Sequence, residues 1–208
     1  MKKILVIFAA ALLSAFHFPL STFHSLQAQG RFDATVSAGL NMAQIDGDAT
    51  GTYNHPGLRA GVGTAFNPES PWRPVVELAY TQKGSFISQY NRRLSADYVE
   101  VALMMSYNCM GDRLRMAFGV APGVLVRSQV DQNGSVDQAA ADNFCPVDWL
   151  PLTVALRYRI GDHLCVEGRW QNSMLSVTKE NGSGTYRIFR SNTGLFHRLV
   201  TFGLGWQF

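Results

Sequence analysis

Eleven charged side chains fall on one parity of short segments whose other parity is apolar. They are Asp33, Arg59, Glu77, Lys83, Glu100, Arg115, Arg127, Arg157, Arg159, Glu167 and Arg169. A two-residue period sends neighbouring side chains to opposite faces, so these charges share one side of a sheet. Seven cations there face four acids. Charges taken out of water need partners, and the first reading is a plug of ion pairs. A narrow path preferring anions is the second, because the excess is positive.

Other chemistry has thinner support. Beyond the first residues of the chain the histidines are His55, His163 and His197. His55 lies in a polar connection and His197 near the start of the last apolar-alternating segment, with Asp46, Asp48 and Ser191 in reach if those segments pair. Such a histidine would be the general base of a lipid-modifying enzyme, for acyl transfer or deacylation, and this is the alternative function. No spacing matches a diagnostic catalytic motif, so no catalytic residue is assigned and the expectation is a protein without catalysis. Cys109, Cys145 and Cys165 lack the close spacing of a metal site, and their odd number argues against a full disulfide framework. "QIDGDATGTYN" lacks the ordered acids and terminal Glu of a calcium-binding hand. Neither cofactor nor metal is expected.

The elements that must position the charges are strands. From Phe32 to Met42 the even residues are mostly apolar and the odd ones small or polar. The same alternation runs through "GLRAGVGTAF" and "VVELAYTQKG", and through "YVEVALMMSYN" with the odd residues apolar. It returns from Arg115 to Arg127, from Leu150 to Ile160, from Leu164 to Gln171 and from about Leu199 to Phe208. That makes eight strands, with Pro122 and Gly123 marking a bulge in the fifth. Long polar connections, Ala43–Pro56, Gly84–Asp97, Ser128–Val147 and Ser173–Phe196, alternate with short ones after Asn67, Cys109 and Gly161. The third long connection is acidic (Asp131, Asp137, Asp142, Asp148) and reads as solvated. The fourth is basic (Lys179, Arg187, Arg190) and suited to lipopolysaccharide phosphates.

The start of the chain supplies the compartment. Met1-Lys2-Lys3 precedes an apolar run from Ile4 to Phe16, too short to span a bilayer, which predicts a cleaved signal peptide over 1–28. Residues 29–208 then form one domain. Without Lys2 and Lys3 the balance is nearly neutral, 16 basic against 15 acidic, and gives no footprint for nucleic acid. An exported chain with only 16% charged residues, 12% aromatics and no further long apolar run can enter a membrane as a closed barrel. Soluble barrels keep apolar side chains inside. Here the charge-free face is the apolar one, which suits lipid, where a midplane charge costs about 2–4 kcal/mol. The expected fold is therefore an all-β, eight-stranded antiparallel transmembrane barrel with long extracellular loops and short periplasmic turns, in the outer membrane of a Gram-negative bacterium. Tyr80, Tyr107, Tyr158, Trp170, Trp206 and Phe208 would form its aromatic girdle.

Two resemblances add to this. The ending Phe202, Leu204, Trp206, Phe208 is similar to the signal read by the outer-membrane assembly machinery, which it implies as a partner. "SAGLNMAQIDGD", "GLRAGVG", "VVELAYTQKG" and "DYVEVALMMSY" resemble the PorT-like outer-membrane β-barrel family, with Gly39, Asn41, Gly47, Asp48, Glu77, Tyr80, Lys83 and Gly84 carrying the likeness. That resemblance implies a barrel, and a structural or surface-interaction role accessory to secretion or envelope integrity.

Overall fold

The computed structural model describes residues 32–47, 53–67, 70–111, 113–179 and 194–208. The segment 1–28, expected to be a signal peptide, lies outside them, as do Asp48, Arg187, Arg190 and Ser191. Eleven strand segments follow one another: β1 (Phe32–Asp46), β2 (His55–Phe66), β3 (Trp72–Ile87), β4 (Arg92–Asn108), β5 (Leu114–Val120), β6 (Gly123–Gln132), β7 (Ser135–Val136), β8 (Val147–Asp148), β9 (Pro151–Ile160), β10 (Leu164–Ser173) and β11 (Phe196–Gln207). One short helix, α1 (Gln138–Ala141), sits between β7 and β8.

These segments make eight staves. β5 and β6 both pair with β4, and are halves of one stave divided at Ala121–Pro122. β8 and β9 face them as halves of another, divided at Trp149–Leu150. Every stave pairs antiparallel with its neighbours, and β1 meets β11 from Thr35↔Gln207 to Asp46↔Phe196. The sheet is thus a closed eight-stranded barrel without a free seam, the arrangement that leaves no unpaired backbone in hydrocarbon. Both described chain ends lie at the short-turn end.

The outer face is apolar and open. Leu40 is 65% exposed, Phe202 66% and Leu58 56%, while inward Glu100 and Lys83 have none of their surface exposed. A contiguous apolar face of this extent has no place in water. Aromatic rings gather at the short-turn end, where Trp72 and Tyr107 lie 4.7 Å apart and the His163 ring stacks on Trp206 at 5.1 Å. The C-terminal strand has the expected facing, with Phe202, Leu204, Trp206 and Phe208 outward and exposed.

Three sequence expectations need correction. The connection Gly84–Asp97 is mostly strand: β3 runs to Ile87, β4 starts at Arg92, and Asn91 turns the chain with φ 44°. Here the facing inverts, with Ile87, Leu94 and Ala96 buried inside and Arg93 exposed outside. Above the apolar belt the outer solvent is polar, so the alternation has the sign of a soluble protein and hides from a search for the membrane pattern. Second, the connection Ser128–Val147 is not simply solvated. It carries the top of β6, then β7 and α1, and buries Ala141, Phe144 and Cys145. Third, the register on β4 runs unbroken past Pro122. The extra residue is Val126, where the partner of Asp97 is Arg127 and that of Tyr98 is Leu125. Across the other seam, Val120 pairs Leu152 but Gly123 pairs Asp148, leaving one extra residue at Trp149–Leu150. A bulge reverses which residues face inward beyond it.

None of the three cysteines forms a disulfide; Cys109 is exposed, while Cys145 and Cys165 are buried. A bulky maleimide should therefore add one label to the folded barrel in detergent and three after heat unfolding, counted by gel shift. Two or three labels on the folded form would mean that the lumen is open.

Candidate functional site

The inward face builds three tiers of charge. Nearest the termini, Asp33 on β1 accepts from Arg73 of β3 (3.2 Å) and Arg115 of β5 (3.5 Å) through the same oxygen, Oδ2. Arg115 Nε also donates to Asn108 Oδ1 (3.2 Å), and Arg73 Nε to the Ser70 carbonyl (2.9 Å).

The middle tier crosses the barrel. Glu77 on β3 accepts Arg59 Nη1 from β2 at 2.6 Å and Arg169 Nη2 from β10 at 2.7 Å, one on each oxygen. Arg169 Nε reaches Glu167 Oε1 at 2.9 Å, and Arg157 Nε reaches Glu167 Oε2 at 3.0 Å. Arg157 Nη1 then spans to Thr35 Oγ1 at 3.4 Å. Side-chain-free wall makes this possible: a Cβ at Gly61 would lie 3.0 Å from Glu77 Oε1, and one at Gly63 would lie 3.2 Å from Glu77 Cβ.

In the upper tier Lys83 Nζ lies 2.7 Å from Glu100 Oε1 and 3.2 Å from Asp148 Oδ2. Thr81 Oγ1 and Gln171 Nε2 donate to Glu100 at 2.9 and 2.7 Å, and Ser173 Oγ donates to Asp148 at 2.5 Å. Lys83 also stands 4.8 Å over the Tyr98 ring. Above it packs an apolar cluster, here called the lid, built from Ile45, Ile87, Leu94, Val130, Ala141, Phe144 and Val177. Its two connections are sewn together, since Cys145 N donates to Val177 O and Lys179 N to Asn143 O.

Of the eleven charges read from the sequence, the structure turns Asp33, Arg59, Glu77, Lys83, Glu100, Arg115, Arg157, Glu167 and Arg169 into these tiers. Arg159 stands half-buried at the short-turn mouth, with no ion pair among the described residues. Arg127 is a correction: the bulge at Val126 turns it outward, where it is exposed and donates to Gln129. Two members escaped the sequence reading. Arg73 continues the inward parity of Val75 and Glu77 but is masked by the prolines of "SPWRP". Asp148 was assigned to solvent, and the bulge at Trp149–Leu150 swings it into the lumen.

The histidines flank β1, with His55 opposite Ala43 and His197 opposite Ile45. Both are buried inside the barrel rather than at the lipid-facing rim. The His197 ring lies against Tyr98 and Phe144, and neither of its nitrogens has a hydrogen-bond partner. Asp46 is elsewhere, paired with Arg198 on the outer side at 3.4 Å. Among the described residues no group of three or more His, Cys, Asp or Glu could hold a metal ion.

The same architecture occurs in solved outer-membrane proteins. Ail, the attachment invasion locus protein of Yersinia pestis, overlays with a TM-score of 0.51, and of 0.50 in its complex with the heparin analogue sucrose octasulfate. In both, identity is 10% over 86% of this chain and 99% of that one. Neisserial surface protein A overlays at 0.47, with 12% identity over 85% of this chain and 97% of that one. The fold is thus that of the small eight-stranded outer-membrane barrels. No family model and no curated protein sequence matches the chain.

Breaking a buried ion pair from one side leaves an uncompensated charge, which costs about 3–5 kcal/mol. Lys83→Met strands both Glu100 and Asp148 and should lower unfolding stability by roughly that amount, measured by urea titration in lipid vesicles. A loss under about 1 kcal/mol, the worth of an exposed pair, would show that the tier is hydrated.

Proposed function

We propose that this is a non-catalytic protein of a Gram-negative outer membrane, exported by its signal peptide, whose barrel is a closed scaffold for the long loops. The observation that carries the reading is the pairing of an open apolar exterior with an ion-paired interior. The exterior fits hydrocarbon, and each carboxylate of the interior, from Asp33 to Asp148, is held by at least one cation. Eight strands leave room for side chains and little else, and these side chains fill it. The role left to the molecule is at the surface, structural or interactive, with lipopolysaccharide phosphates as partners of Lys179 and the basic connection around it. Kinship with the PorT-like barrels is part of this proposal and rests on the strand motifs that carry Glu77 and Lys83.

The lipid-modifying alternative has less support. Its general base needs contact with an acyl chain at the outer rim, and His55 and His197 face the lumen below the lid.

Planar-bilayer recording separates a scaffold from a pore. The purified barrel should give no large, steady conductance. A sustained anion-selective current, reversed in selectivity by Arg157→Glu, would overturn the closed scaffold.

A further inference from the structure

A cavity of about 20 Å³ lies within the lumen, lined by Arg115, Arg157, Arg169 and Glu167. That is space for one water-sized particle. Most of its remaining wall is apolar, from Val75, Met104, Ala117 and Ala155. A smaller void of about 10 Å³ lies beside it and shares Val75 and Arg157.

The polar groups that converge on the larger cavity are donors. Arg169, wholly buried, uses Nε on Glu167 and Nη2 on Glu77, while Nη1 meets only the Met104 sulfur at 4.0 Å. Arg115, also in the cavity wall, uses Nε on Asn108 and Nη2 on Asp33, and its Nη1 has no hydrogen bond to a described residue. Of the acceptors nearby, both Glu167 oxygens are held by arginines, while the Ser106 hydroxyl donates to the Arg73 carbonyl at 3.0 Å and keeps its oxygen lone pairs. A water molecule here would meet more donors than acceptors, with the Ser106 oxygen left to take one of its hydrogens. A particle that only accepts suits the site better.

Charge points the same way. Arg59, Arg157 and Arg169 form one ion-pair system with Glu77 and Glu167, three cations against two carboxylates, and Arg115, which pairs with Asp33, adds its charge to the cavity wall. Arg115 stands close enough to feel the repulsion of both Arg73 and Arg157. An excess of positive charge in a low-dielectric interior attracts a counter-ion.

We propose that this cavity is a binding site for a single-atom anion, a halide, held by Arg115, Arg157 and Arg169. The ion completes the hydrogen bonding of Arg169 and reduces the repulsion among the arginines, so it is a structural part of the plug. The inference rests on the closed-lumen reading. The two fail differently: an open lumen shows itself as conductance, whereas a missing ion leaves conductance at zero and alters only the halide response.

The test uses the full mature barrel, with thermal unfolding followed by circular dichroism at constant ionic strength as bromide replaces gluconate. Ligand that binds only the folded state stabilises it in a saturable way. The expected result is a saturating rise of a few degrees, lost in Arg115→Met and retained in Arg127→Met, whose side chain lies outside. No bromide-specific rise, or a rise that persists undiminished in Arg115→Met, would overturn the site. Should Arg115→Met fail to fold, anomalous diffraction from wild-type crystals grown in bromide decides. A bromide peak among the three arginines supports the proposal, and its absence refutes it.

Discussion

The interaction on which the rest depends is the pair of carboxylates at the centre of the barrel, Glu77 and Glu167, clamped by Arg59, Arg157 and Arg169. These five side chains come from β2, β3, β9 and β10 and meet across the lumen at 2.6–3.0 Å. Removing a charge from water costs several kcal/mol, so none of them is tolerable there alone. Together they bridge the interior and fix the distance between opposite walls. The glycines at 61 and 63 exist in the same logic, because a side chain on that wall would displace Glu77.

Three solvents divide the molecule, and the sign of its alternation records which one each stretch meets. Along the belt the outside is apolar and the inside charged. Beyond Lys83 and Glu100 the hairpin of β3 and β4 continues with the opposite sign, Ile87 and Leu94 inward and Arg93 outward. The lumen therefore ends in an apolar lid, and the Lys83 tier lies directly beneath it. The buried acids of that tier have donors besides Lys83: Thr81 and Gln171 on Glu100, and Ser173 on Asp148.

The belt was legible because its residues obey one rule. Leu40, Leu58, Phe202 and their neighbours alternate cleanly, and the charges interleaved with them could be assigned to the inside from parity alone. Legibility stopped where parity changed without a sequence signal. The bulge at Val126 expelled Arg127, and the bulge at Trp149–Leu150 admitted Asp148; neither site has a glycine or a proline at the extra residue to announce it. Pro122, which does announce an irregularity, leaves the register to β4 intact. Arg73 was hidden for a different reason, since Pro71 and Pro74 made a strand start look like a turn. Pairing across the lumen, such as Arg169 with Glu77, was beyond reach, because it depends on the stagger of staves far apart in the sequence.

The most direct test of the two-sided barrel is spin-label accessibility along the closing strands. Labels placed singly at Leu40, Phe202 and Leu204 should collide readily with oxygen and poorly with a neutral nickel complex, as lipid-facing sites do. Labels at Arg93 and Gln129 should show the reverse. High nickel accessibility at the first three positions, with the barrel refolded in lipid, would contradict the account.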